Sequence, residues 1–159
     1  MPSGREDLAK LFERFVLEYY RAHFPGLRPS GSTYVDHGID DAPVILPHLM
    51  TDIILRVPGR TLIIDTKCYG SILSTHHEKG ILRPEHRNQI LSYVVHKGCD
   101  PKAGEVSGML LYAGTEHEDA VSATWHEVGH EFAVRTLDLG CEFGKIASQL
   151  DAIAEGLAE

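Results

Sequence analysis

The stretch "LMTDIILRVPGRTLIIDTKCYG", residues 49–70, decides the fold. Two apolar runs, 50–56 and 60–67, flank Val57-Pro58-Gly59-Arg60. A Pro-Gly pair between two such runs predicts a β-hairpin. Side chains alternate faces along a strand. In the first run Asp52 therefore shares a face with Ile54, while Ile53 and Leu55 share the other. In the second, Asp65 and Lys67 share a face with Ile63, and Ile64 points away. Pairing through the turn brings Asp52 close to Asp65 and Lys67 at the open end of the hairpin. Two carboxylates held together repel and want a cation between them. A rigid pair of carboxylates beside an ammonium suits a hard divalent metal, which takes oxygen ligands and keeps several waters. Such a metal polarises a phosphoryl oxygen and lowers the pKa of a bound water. Lys67 would then orient the attacking water or stabilise charge developing on a phosphate.

The spacing Asp-x-Lys is weak by itself, since average composition produces it about once in every two or three chains of this length. Asp100-Pro101-Lys102 has the same spacing within a Gly- and Pro-punctuated turn, where a solvated loop is expected. Asp65-Thr66-Lys67 differs because it ends an apolar strand whose partner carries an earlier aspartate. The bland counterpart is a surface salt bridge at a frayed strand end.

Outward from the hairpin, residues 5–24 read as a helix with Leu8, Leu11, Phe12, Phe15 and Tyr19 as its apolar stripe. Ser3 and Glu6 fit a capping box, and Pro25-Gly26 stops the helix. Residues 27–48 are rich in Gly, Pro and Ser, with a short strand near "STYVDH". Residues 68–83 read as loop. "PEHRNQILSYVVHK" opens a helix at Pro84, with Leu91, Val94 and Val95 as its stripe. Residues 105–114 form a strand, and 123–139 a second hairpin turning near Gly129. Residues 141–157 form a last helix with Phe143, Ile146, Leu150 and Ile153 on one side. No internal repeat, low-complexity tract or inter-domain linker interrupts this order, so one mixed α/β domain around a central sheet flanked by helices is expected.

At 159 residues the chain is long enough for a real core. No apolar run approaches the roughly 20 residues that span a membrane, and no signal-peptide pattern opens the chain. Three cysteines without C-x-x-C spacing argue against a disulfide framework and against a structural zinc site. Free thiols of this kind fit the cytoplasm. The net charge of −8 argues at first against nucleic acid. Its distribution is uneven. Residues 67–102 carry six Lys/Arg against three acids, whereas 103–159 carry two against eleven. One region could face a polyanion, and the tail could not.

These residues and their order resemble a known family. Asp52, then Asp65-x-Lys67 across a hairpin, preceded by a helix with a glutamate and followed by a helix with a glutamine, resembles the PD-(D/E)XK nuclease superfamily. The blocks "LMTDIILRVPGRTLIIDTKCYG", "RNQILSYV" and "EVSGMLLYAG" are more closely similar to the McrC family. That family supplies the nuclease subunit of McrBC-type 5-methylcytosine restriction systems. The resemblance runs from about Leu8 to Leu150 and implies a restriction-endonuclease-like fold over residues 1–159, without the family's motor-engaging N-terminal region. It implies that Asp52 and Asp65 bind Mg²⁺, for which Mn²⁺ can substitute, with the Thr66 carbonyl. Lys67 is then the catalytic lysine, Glu13 completes the metal site through water, and Gln89 is the polar residue of the second helix, with Tyr93 one turn on. Thr51 stands where the superfamily has its proline. Glu18 competes with Glu13 for the helix position, since five residues place the two about 140° apart. The substrate implied is double-stranded DNA, delivered by a GTP-hydrolysing AAA+ motor subunit like McrB, in the cytoplasm of a prokaryote. A double-strand break from one site per chain favours a homodimer.

Lys79, Arg83 and Arg87, on the basic loop and second helix, are the candidates for tracking phosphates, with His76, His77 and His86 nearby. His126 and His130 bracket the second turn, and no zinc site is expected there. Trp125 and Tyr112 are expected in the core, and Cys68 as a packed thiol. No Walker lysine motif or G-x-G-x-x-G occurs, so no nucleotide site is expected. Two rivals remain: a non-catalytic DNA-binding or assembly module with the same fold, and a hydrolase of small phosphoesters. Nothing in the chain reads as a pocket for methylated cytosine.

Overall fold

The computed structural model describes residues 4–35, 49–68, 82–114 and 121–159. The chain runs α1 (Gly4–His23), β1 (Ser30–Val35), β2 (Leu49–Val57), β3 (Arg60–Lys67), α2 (Pro84–Lys97), β4 (Glu105–Gly114), β5 (Ser122–Glu127), β6 (His130–Asp138) and α3 (Phe143–Ala158). The strands form one sheet in the order β1-β2-β3-β4-β6-β5. β1, β2 and β3 are antiparallel neighbours, β3–β4 and β4–β6 are parallel, and β5 returns antiparallel to β6. Parallel β3 and β4 require a long crossover, and α2 lies within it. The expected α/β architecture with a mixed, helix-flanked sheet is thus present. Among the described residues no helix is long and apolar enough to cross a membrane.

The two-residue period of the hairpin divides the core. Ile53, Leu55, Leu62 and Ile64 face α1 and α3. Ile54 and Ile63 face the other way, with Ile90 and Val94 of α2 and with Leu110 and Tyr112 of β4. β2 and β3 join through Pro58-Gly59, Val57 facing Arg60. Gly59 has φ +82°, and proline followed by a positive-φ glycine is the order of a type II turn. Gly104 lies against this turn with φ +69°. A Cβ there would collide with the Gly59 backbone, whose carbonyl accepts from the Glu105 N–H at 2.9 Å.

Two apolar stripes, on α1 and α2, are rotated from their expected positions. α1 buries Phe12, Val16, Tyr19 and Tyr20, whereas Leu8 and Leu11 are 57% and 64% exposed. Leu11 lies one step of about 100° from Phe12, away from the sheet. α2 buries His86, Ile90, Tyr93 and Val94, and leaves Leu91 and Val95 half-exposed. α3 keeps its expected stripe, with Leu150 and Ile153 buried and Ile146 packed on the core, and Phe143 on the same face is exposed because it sits in the first turn, at the edge of Tyr19. The apolar residues off these faces do not reach the sheet. The second hairpin turns at Val128-Gly129, both at positive φ (+51° and +79°), the signature of a type I′ turn. The capping box expected at the start of α1 involves Ser3, outside the described residues.

Candidate active site

Asp52, Asp65 and Lys67 come together where β2 and β3 part. The ladder between these strands ends at Ile53 opposite Ile64. One step further, Asp52 would face Asp65. There Thr66 donates its backbone N–H and its hydroxyl to Asp52 Oδ2, at 2.8 and 3.1 Å. The Asp52 side chain thus stands in for a ladder carbonyl, which fixes the orientation of its carboxylate.

Asp65 is 2% exposed. Its Oδ2 lies 2.9 Å from Lys67 Nζ. Among the described residues that buried oxygen has this ion-pair contact and no well-directed hydrogen bond. Lys67 Nζ also donates to Gln89 Oε1 at 2.6 Å, and Gln89 Nε2 donates to the Tyr93 hydroxyl at 2.8 Å. A continuous polar chain therefore runs from Asp65 through Lys67 to α2. Burial pushes the Asp65 carboxyl up to about 7, the Asp52 charge adds to this, and Lys67 opposes it without cancelling it. Burial likewise raises the Tyr93 hydroxyl.

Glu13 reaches toward this site from α1. Burial raises its carboxyl to about 7, with Asp52 adding and Lys10 opposing. Glu18 is on the exposed side of the helix, paired with Arg21 at 3.0 Å. Glu13 is thus the glutamate on the site's side of α1. Among the described residues no three His, Cys, Asp or Glu side chains lie close enough together to hold a metal ion. The carboxylates at the centre are therefore a pair, Asp52 and Asp65, with Glu13 felt through its field.

The basic residues are placed less simply. Arg83 occupies the position before the first turn of α2, with no side-chain capping hydrogen bond. Arg87 is 46% exposed and pairs with Glu127 of β5. Lys79, His76 and His77 lie outside the described residues. His86, expected near phosphate, is instead buried, because it lies on the sheet-facing side of α2. Its Nδ1 is 2.5 Å from the Tyr112 hydroxyl. Burial lowers its pKa to about 4, with Lys67 and Arg83 acting the same way, so the ring is neutral at pH 7. Tyr112 is the register neighbour of Lys67 on β4, and His86 is three residues before Gln89. Lys67–Gln89 and Tyr112–His86 therefore form adjacent rungs between sheet and helix. The sequence signal for the second rung was the i, i+3 spacing of His86 and Gln89.

His126-Glu127-Val128-Gly129-His130 has H-E-x-x-H spacing, which the sequence reading had held to be absent. On a helix that spacing puts both histidines on one face. Here the five residues span a hairpin turn. Glu127 is the cross-strand partner of His130, and His126 points to the opposite face. Glu127 pairs with Arg87, and His130 Nδ1 contacts the Val106 carbonyl at 2.8 Å. Asp100 accepts from the Lys102 backbone N–H, which is a turn cap and not a site. Tyr112 is fully buried, a core residue as expected, whereas Trp125 is half-buried and stacks on Phe132 at the margin of the core. Cys68 packs on the α1/α3 side, opposite Lys67.

No family model matches the chain. The chain is 26% identical over 156 residues to the type IV methyl-directed restriction enzyme EcoKMcrBC of Escherichia coli (strain K12). This chain resembles a restriction enzyme. The similarity takes in 92% of the chain and 42% of the relative, so the chain spans about two-fifths of that protein's length. It supports the McrC-like character expected from the sequence blocks.

Proposed function

We propose that this chain is a Mg²⁺-dependent endonuclease domain of PD-(D/E)XK type that hydrolyses DNA phosphodiester bonds as the cleavage component of a McrBC-type restriction system. The observation that carries the proposal is the Lys67 ammonium held between Asp65 and Gln89, with Asp52 fixed beside them. The helix bearing Glu13 precedes the hairpin and the helix bearing Gln89 follows it, in the order the family resemblance requires. The similarity to EcoKMcrBC supports the same reading.

The donors fit Mg²⁺. Two carboxylates share a buried strand end, and one has a poorly satisfied oxygen and a strong tendency to hold a proton. A cation between them would relieve both. The absence of a third close carboxylate among the described residues is no obstacle, since Mg²⁺ is commonly held by one or two carboxylates with waters and substrate phosphates. Asp52, Asp65 and the Thr66 carbonyl would hold the ion, with Glu13 acting through water. Bound there, Mg²⁺ supplies polarisation of a phosphoryl oxygen and an acidified water.

The chain's own residues do the rest. Asp65 and Gln89 hold the Lys67 ammonium in place, where it stabilises charge developing on the phosphate or orients the attacking water. Gln89, itself held by Tyr93, keeps the amine from swinging away. The acidic balance of the chain predicts weak DNA affinity in isolation, which fits delivery by a McrB-like, GTP-hydrolysing motor.

The test is incubation of supercoiled plasmid with wild type and Lys67→Ala, in Mg²⁺, Mn²⁺ or EDTA, with and without the motor and GTP. Nicking or linearisation by wild type, abolished by EDTA and by the substitution, is the expected result. Turnover of a chromogenic phosphoester without any plasmid cleavage would replace this function with small-substrate hydrolysis. Inertness in every condition, motor included, would favour a non-catalytic module.

A further inference from the structure

Lys10, Arg14, Leu17 and Arg21 occupy one stripe of α1, since at about 100° per residue they fall within ~60° of one another. The three cations are exposed. With Glu13, Glu18 and Ser32 they line a groove between α1 and β1. The helix approaches the strand closely because β1 has glycine at position 31, where a Cβ would meet Leu17 at 2.5 Å. Ser32 follows with a left-handed φ of +46°. It stands opposite Asp52, between the Gly31–Ile53 and Thr33–Thr51 pairs. Glu13, in the groove wall, feels the Asp52 charge, so the groove and the site meet at this carboxylate.

Arg21 is held by Glu18. Among the described residues, Lys10 and Arg14 have no ion-pair partner. They are about 6 Å apart along the helix axis, the scale of one or two nucleotide steps at about 3.4 Å each. Arg87, the basic residue of α2 singled out from the sequence, is by contrast already paired with Glu127.

We propose that the Lys10–Arg14 stripe is the track along which one nucleic-acid strand lays its phosphates as it enters the Asp52/Asp65 site. The proposal rests on the nuclease reading for the position of the scissile phosphate.

The test measures binding of a short fluorescent duplex by anisotropy across graded KCl, in EDTA, for wild type, Lys10→Ala/Arg14→Ala and Arg21→Ala. Losing two phosphate contacts should make the slope of log K against log[salt] less steep by about 1.8 and weaken binding about 60-fold at ~0.1 M salt relative to ~1 M. Arg21→Ala should change both less. An unchanged slope and affinity in the double variant would overturn the track, as would failure of wild type to bind duplex at low salt. So would a loss of binding to phosphatidylserine vesicles without a loss of binding to duplex. Plasmid cleavage in Mg²⁺ separates the two claims. Cleavage by wild type with an unchanged salt slope in the variant refutes the track alone. Duplex binding lost in the variant, with no cleavage by wild type under any condition, refutes the nuclease reading alone.

Discussion

Replacing Asp65 by Asn should change how the stability of the metal-free protein depends on pH. Burial, and then the Asp52 charge, push the Asp65 carboxyl from 3.8 to about 7. Between these values the folded chain holds a proton that the unfolded chain has released. The unfolded state then binds fewer protons, so stability falls as pH rises. The group's contribution is fully present below pH 3.8 and is lost as pH passes through about 7. One proton corresponds to about 1.4 kcal/mol per pH unit, and a shift of roughly three units to ~4 kcal/mol, as an order of magnitude. Asparagine cannot ionise, so the difference between wild type and Asp65→Asn isolates this group from every other titration. Urea unfolding in EDTA, at intervals between about pH 4 and 8, reads that difference provided the m-values agree. Wild type should lose ground steadily to Asp65→Asn as pH rises. A difference that stays flat, or that moves in favour of wild type, would refute the claim that Asp65 is a buried carboxylate lacking adequate compensation.

Three further outcomes follow from the same geometry. Lys67→Ala should lower single-turnover cleavage by at least about 100-fold, the scale of losing a preorganised electrostatic group, while Mn²⁺ binding persists; an effect of only a few-fold would remove Lys67 from the chemistry. Tyr112→Phe deprives the buried His86 Nδ1 of its hydroxyl partner and should cost about 1–3 kcal/mol in urea unfolding, and an unchanged midpoint would show that the contact carries no weight. Gly104→Ala forces a Cβ into the Gly59 backbone at a positive φ and should destabilise by more than about 1 kcal/mol; wild-type stability would mean that the turn shifts freely.

The hairpin was legible because three independent signals agreed: a Pro-Gly turn, a two-residue apolar period and charges confined to one end. α2 was bounded correctly because Pro84 can occupy only a first helical turn. Which face each helix buries was less legible. Leu8 and Leu11 are as apolar as the residues beneath them, and only the position of the sheet decides that Val16 and Tyr20 go inside. The same limit hid His86. A histidine beside arginines reads as a phosphate contact until the helix is docked and its ring meets Tyr112. Lys10 and Arg14 went unnoticed because the charge count was taken by segment, and α1 mixes both signs. Only the fold gathers its cations onto one stripe beside β1. The H-E-x-x-H spacing shows the converse, a pattern whose chemistry requires a helix but which falls on a turn.

The central claim is that Asp52 and Asp65 together hold a divalent ion. Calorimetric titration with Mn²⁺ of wild type, Asp52→Asn and Asp65→Asn tests it without DNA or a motor. One site in wild type, lost in both variants, is the predicted result. No binding in wild type, or undiminished binding in both variants, would contradict it.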